Sequence, residues 1–378
     1  MADSAVRLYQ STDTGAPQCD GVAGSLIAVL DACLVTGYAS VNVSSIVVSI
    51  GVATVTTATG HGISAVGTTG PCVRIEGATP AELNGDWRVA ITGSTTFTFE
   101  TAVSDQTATG AITTKRAPAG WEKVYAGTNK AAYRSHDVTG TRLYLRVDDT
   151  VGMYANVSGY ETMSDIDTGT GAFNGGGTGR WSKSTVANTN ARAWRVFADS
   201  RCVYLFVNKG TVQGNYEVAC GWFGDIISNL SADAYGCGIV ANDQYDYDYA
   251  LATLGSASYL SSQLARAHTQ IGTAVSCYRS SNVLVDHTYG MGCSGMPYPS
   301  PVGNELIAFP VQCVQRSDGL YRGDMPGLYG PAHNMRSVAD GTVITGVQVS
   351  GSSRDFMVLT LRGSNEYRAL MDMTGPWR

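Results

Sequence analysis

Apolar positions along the chain follow two rhythms. Between Gly24 and Val35 the residues Leu26, Ile27, Leu30, Cys33 and Leu34 recur three and four apart, the spacing of one helical face, and Gly37 supplies the left-handed residue that ends helices. Polar positions are few in this stretch, so the helix is expected to be packed on two sides. Almost everything afterwards alternates. Leu143, Leu145 and Val147 interleave with Arg142, Tyr144, Arg146 and Asp148, the pattern of a half-buried strand, and Trp194, Val196 and Ala198 repeat it. Cys202 to Val207 is an unbroken run of strand formers, which predicts a central strand covered on both faces. Phe356 to Leu361, the turn residues Gly363-Ser364-Asn365 and then Tyr367 to Met371 predict a closing hairpin.

The stretch 42–114 has a different texture. Val52 to Thr57, Cys72 to Ile75, Trp87 to Ile91 and Thr96 to Phe99 are short strand-like runs separated by Gly, Pro and Asn-Gly turns. About five strands in about 70 residues read as a small β-sandwich or barrel. The predicted architecture is therefore mainly β: a discontinuous main domain, 1–41 and 115–378, with one N-terminal helix, and a small β-sandwich or barrel inserted at 42–114. A length of 378 residues also exceeds the roughly 250–300 at which one core stops growing.

Composition adds one anomaly. Only 15% of residues are charged, against about 25% in an ordinary soluble protein, while glycine reaches 45 residues and the net charge is only −6. Lysine occurs five times, leaving 20 arginines beside 20 tyrosines. Arginine and tyrosine favour interfaces and lysine avoids them, although genomic base composition also trades Lys for Arg. The Gly-rich segment 165–179 is expected to bury nothing by itself, being either mobile in isolation or ordered by a neighbouring chain.

Candidate chemistry is sparse. Met1-Ala2-Asp3-Ser4 lacks the basic start and apolar core of a signal peptide, which predicts a chain made and folded in the cytoplasm, and the longest apolar stretches fall short of the roughly 20 residues that span a bilayer. The nine cysteines, without a C-x-x-C pair, read as buried free thiols. Gly290-Met291-Gly292-Cys293-Ser294-Gly295 matches a dinucleotide fingerprint formally, but the Met-Pro-Tyr-Pro that follows cannot open the helix that would bind a pyrophosphate. Asp165-x-Asp167-x-Gly169 begins like a calcium loop, then offers Thr170 and Gly176 where glycine and a bidentate glutamate belong, so it reads as an Asx-turn loop. The five histidines are scattered and G-x-S-x-G is absent. Arg322-Gly323-Asp324 is an adhesion tripeptide by chance composition. The nearest approach to a basic patch, Lys115, Arg116, Lys123, Lys130 and Arg134, is too sparse for nucleic acid in an acidic protein. Asp243, Asp246 and Asp248 interleave with Tyr245, Tyr247 and Tyr249, either an edge strand with its acidic face in water or a contact strip for a subunit or glycan.

The motifs that carry no catalysis are the informative ones. Gln10-Ser11-Thr12-Asp13 with Gly15-Ala16-Pro17, the helix 24–35, Pro118-Ala119-Gly120-Trp121, Gly127-Thr128-Asn129-Lys130, Tyr160 to Asp165 and Arg322 to Tyr329 resemble a family of tailed-bacteriophage virion structural proteins. The family's helix leads almost directly to the Pro-Ala-Gly-Trp element, so the segment 42–114 is a departure. That segment itself resembles small β-sandwich modules of phage tail and surface proteins through Gly60-His61-Gly62 and Val73 to Pro80. The resemblance implies a particle component with no catalytic residues to carry over, assembled in the host cytoplasm into the virion; the leading expectation is a non-enzymatic structural protein at the tail, tail tip or baseplate. Its partners would be copies of itself, other virion proteins and host surface glycan, with no cofactor, nucleic acid or membrane insertion. The alternatives are a capsid decoration or head-fibre protein and a glycan-binding or depolymerising tail protein. The candidate contact residues are Tyr245, Tyr247, Tyr249, Arg322 and Tyr329; no catalytic or metal-binding residue is expected.

Overall fold

A computed structural model describes residues 5–173, 179–210, 218–242, 260–280, 296–361 and 368–378. It is mainly β, with 49% of residues in strands and 5% helical, and its main sheet is nearly closed into a barrel. The unbroken apolar run forms the strand Cys202–Asn208, hydrogen-bonded on one side to Trp194–Ala198 and on the other to Val218–Asp225. Period-two geometry divides its side chains between two cores. Val203, Leu205 and Val207 enter one, and Cys202, Tyr204 and Phe206 the other. A strand buried on both faces has no polar face to alternate with, which is why its sequence is apolar throughout.

The first core lies under an antiparallel meander, Trp121–Gly127, Lys130–Ser135, Tyr144–Asp148 and Tyr154–Tyr160, which contributes Trp121, Tyr133, Leu145 and Val157. The second core lies under the C-terminal strands Tyr321–Pro331, Ser352–Thr360 and Arg368–Asp372, whose Leu328, Met357, Leu359 and Met371 meet Tyr204 and Trp222. Ser352–Thr360 and Arg368–Asp372 are the antiparallel strands of the expected closing hairpin, in the register Met357↔Met371; its turn, 362–367, lies outside the described residues.

The helix departs from expectation in its winding. It is α-helical only over Ser25–Leu30, widens to a π-helix over Asp31–Thr36, and stops at Gly37, where φ is 72°. Leu26, Val29, Leu30, Cys33 and Leu34 still pack together in the first core. No neighbouring side chain caps its start, where Gly24 is left-handed. Asp149 does so from a distance: its Oδ2 accepts the amides of Leu26 at 2.8 Å and Ile27 at 3.3 Å.

The strands of the segment 42–114 pair among themselves and enclose a core of their own, with Ile46, Val55, Val73, Ile75, Leu83, Phe97 and Phe99. One long strand, Tyr38–Ser49, serves both halves of this unit. Its start pairs with Thr113–Arg116, and beyond irregularities at Tyr38/Val41 and Val43/Ser45 it pairs with Val52–Thr57, a strand bending between two sheets as sandwiches require. The paired entry and exit strands begin at Tyr38 and end at Arg116, slightly outside the expected boundaries. The expected strand Trp87 to Ile91 is two, Gly85–Arg88 and Ala90–Ile91, with Val89 buried between them. The unit is braced against the main domain, because Asp86 Oδ2 accepts Arg7 Nη2 at 2.9 Å, and Asp355 Oδ2 accepts the Thr68 amide and hydroxyl at 2.5 and 2.6 Å.

The Gly-rich segment also corrects expectation, because its described part is ordered by its own chain. Gly169–Thr170 pairs with Thr162–Met163, and Phe173 is fully buried against Gly159, where a Cβ would lie 2.2 Å from the ring. Residues 174–178 lie outside the described set. Of the cysteines, Cys19, Cys33, Cys72, Cys202, Cys220, Cys237, Cys277 and Cys313 are buried free thiols. Burial pushes Cys19 up to about 12, leaving no reactive thiolate at neutral pH.

Candidate functional site

The candidate contact residues meet different fates. Tyr245, Tyr247 and Tyr249 lie outside the described residues, as does the glycine fingerprint 290–295. Arg322 is corrected: it is fully buried in the strand Tyr321–Pro331 and offers a partner nothing. Its Nη2 meets Asp233 Oδ2 at 3.2 Å, and Nη1 donates to the Arg266 carbonyl at 2.8 Å. Tyr329 is half-buried, its ring set edge-on against Phe356 at 5.0 Å.

The motif residues act as fastenings of the fold. Asp13 accepts the Tyr38 hydroxyl at 2.6 Å and Arg116 at 3.1 Å, so one carboxylate of the N-terminal motif holds both strands that enter and leave the inserted unit. Tyr9 adds a bond to the Ala117 carbonyl at 2.8 Å. In the Pro-Ala-Gly-Trp element, the Ala119 amide donates to the Cys33 carbonyl at 2.8 Å and the Trp121 indole to the Asp199 carbonyl at 2.9 Å, tying helix to sheet. Asn129 sits at φ 54° in the turn between two meander strands, and its carbonyl accepts the Asp149 amide. Glu161 accepts Nε and Nη2 of Arg266, at 2.6 and 2.5 Å, while that guanidinium lies 3.9 Å from the Tyr235 ring centroid. Asp165 accepts the Asp167 amide at 2.8 Å, the Asx turn expected of that loop.

Arginine is drawn inward generally. Arg7, Arg116, Arg195, Arg201, Arg354 and Arg378 all pair with aspartates of the same chain. The bias towards arginine is therefore met by internal ion pairs, where a planar fork loses less freedom than a lysine, and it does not by itself require an inter-subunit surface. The sparse basic patch is likewise engaged: Lys115 reaches Glu76, Lys123 reaches Asp31, Lys130 reaches Asp167 and Arg134 reaches Glu122.

A cleft of about 440 Å³ opens beside Arg378, lined by Thr141, Arg201, Asp225, Ser228, Asp233 and Arg378 among others. Thr141 donates its hydroxyl to Asp225 Oδ1 at 2.5 Å and its amide to Oδ2 at 3.0 Å. Burial nevertheless raises the Asp225 carboxyl above its ordinary range. Arg201 pairs with Asp137 at 2.7 Å and Arg378 with Asp199 at 2.7 Å. Carboxylates, hydroxyls and guanidiniums here hold one another within the chain. Among the described residues no group of three or more His, Cys, Asp and Glu side chains could hold a metal ion, and no helix is long and apolar enough to cross a membrane. Sequence reasoning missed this network because its members come from separate segments, Asp137 and Arg201 or Asp199 and Arg378, with no local spacing to mark them.

The sequence matches no known family model and no curated protein.

Proposed function

We propose that the protein is a non-enzymatic structural component of a tailed-phage virion, placed at the tail, tail tip or baseplate, with the inserted unit turned towards the host surface. One observation carries this reading: the residues through which the chain resembles such proteins, Asp13, Ala119, Trp121, Asn129, Glu161 and Arg322, serve internal bonds that hold the fold. Residues that carry the resemblance and also fasten the fold support a reading in which shape and assembly are the function. The far end of the inserted unit supports the outward placement. Ile50 is 90% exposed at a hairpin tip, flanked by the partly exposed Val47 and Val52, and adopts φ 49°. A β-branched residue in that conformation is strained and solvent gives it nothing to pack against, a combination found where a surface is kept for contact.

Mass spectrometry of purified virions tests the reading, together with antibody labelling of intact particles. Several copies per particle and label at the tail support it. Absence from purified particles refutes it, and label on the head reassigns the protein to capsid decoration. Clearing of host polysaccharide by the purified protein would instead make it a depolymerase.

A further inference from the structure

Of the lysines paired to carboxylates among the described residues, Lys183 stands apart. Lys115, Lys123 and Lys130 meet their partners at the surface, with side chains 21–32% exposed. Lys183 Nζ meets Asp149 Oδ1 at 2.5 Å with both side chains at 0% exposure. Two further acceptors surround Nζ, the Val22 carbonyl at 2.5 Å and Ser25 Oγ at 3.2 Å. They take two of the three ammonium positions, while Asp149 Oδ1 lies beside Nζ by proximity and charge, with no hydrogen-bond partner of its own. The other carboxyl oxygen, Oδ2, accepts two backbone amides, Leu26 at 2.8 Å and Ile27 at 3.3 Å. Nucleophile, carboxyl and oxyanion donors are thus held together where water is excluded.

We propose that Lys183 and Asp149 become joined by an intramolecular isopeptide bond in the folded protein. In the dry site, passage of one proton from Nζ to Oδ1 converts the ion pair into a neutral amine and a neutral acid, removing two buried charges. Burial acts in the same direction on Asp149, raising its carboxyl to about 6 against the opposing influence of Lys183 and the two amides. The Nζ lone pair then attacks Cγ, and the developing oxyanion at Oδ2 is met by the Leu26 and Ile27 amides. Nζ gives up one proton to the departing Oδ1 hydroxyl, the Cγ–Oδ1 bond breaks, and water leaves. The product is one amide with Oδ2 as its carbonyl oxygen. No oxidant, metal or cofactor enters the balance. The bond ties the residue after strand Tyr144–Asp148 to the residue after strand Arg180–Ser182, beneath the start of the helix. It stands on this geometry alone and holds whether or not the protein belongs to a virion.

The test is the intact mass of the full chain, incubated folded and then denatured. The expected mass is about 18 Da below that of the sequence, one water lost, with a protease digest yielding a branched peptide that contains both residues. Lys183→Arg should restore the full mass. Asp149→Asn should lose ammonia, about 17 Da, and arrive at the same final mass as the wild type. The Lys123–Asp31 pair, at 2.6 Å but partly exposed, should give no branched peptide. Full mass in the wild type, with residues 149 and 183 on separate linear peptides, overturns the proposal and leaves a plain buried ion pair. That readout is made on denatured wild-type protein, so it stands even if a variant fails to fold.

Discussion

Replacing Arg322 by alanine separates two roles for this residue, one in the fold and one at a surface. The side chain is at 0% exposure and its partner Asp233 at 2%. Truncation leaves the Asp233 carboxylate buried with only the Ser228 hydroxyl at 2.8 Å and the Tyr235 amide at 3.2 Å. It also removes the donor to the Arg266 carbonyl. Breaking one side of a buried ion pair costs about 3–5 kcal/mol, because the remaining charge has lost its partner but not its burial. In the unfolding equilibrium that is roughly two to four powers of ten. Arg322→Lys should fall between wild type and alanine, since an ammonium restores the charge without the planar fork. Urea unfolding followed by tryptophan fluorescence and by far-UV circular dichroism measures both. A stability for Arg322→Ala within about 0.5 kcal/mol of wild type would refute the reasoning; coupled with loss of assembly, it would return Arg322 to the surface.

Three further outcomes are expected. Burial alone would raise the Asp137 carboxyl, but hydrogen bonds from Thr139 and Arg201 outweigh it and hold it down at about 2. Because the folded value lies below the unfolded value of about 3.9, the stabilisation is complete above about pH 4 and is lost as pH falls towards about 2. Urea midpoints between pH 2 and 7 should therefore fall more steeply in acid for wild type than for Asp137→Asn, and parallel curves would contradict this. Gly159→Ala places a methyl 2.2 Å from the Phe173 ring and should cost about 1–3 kcal/mol; unchanged thermal stability would mean that Phe173 is not seated there. Ile50→Asn suits the left-handed turn that Ile50 strains, with Gly51 following at φ 75°, and should stabilise the inserted unit by about 1 kcal/mol. Calorimetry measures the gain, and phage carrying the change should adsorb more slowly to host cells.

Local pattern was sufficient where one physical requirement acts on neighbouring residues. The alternation at Leu143 to Asp148, the two-sided apolar run at Cys202, the hairpin strands around Met357 and Met371, and the separate texture of 42–114 were all legible. Each follows from which face of a strand meets water, and that repeats every two residues. The early helix was legible by its spacing, but its change to π-helical winding at Asp31 was not, and neither was its distant cap at Asp149.

What only the tertiary structure decided has a common cause: partners far apart in sequence meet through the topology of the sheet. The chain alone determined a mainly β protein with one helix, an inserted β unit, and cysteines without metal-site spacing. Folding decided that Arg322 turns inward to Asp233 instead of outward, that Phe173 seats the Gly-rich segment against Gly159, and that Asp13 gathers the two strands of the insertion. It also brought Lys183 onto Asp149 with both side chains fully buried. The low charge has a related explanation. Among the described residues Arg7, Arg116, Arg201, Arg322 and Arg378 are paired with aspartates of the same chain, which offsets the cost of burying a guanidinium, and which carboxylate that is depends on how strands are laid side by side, a matter no local spacing records.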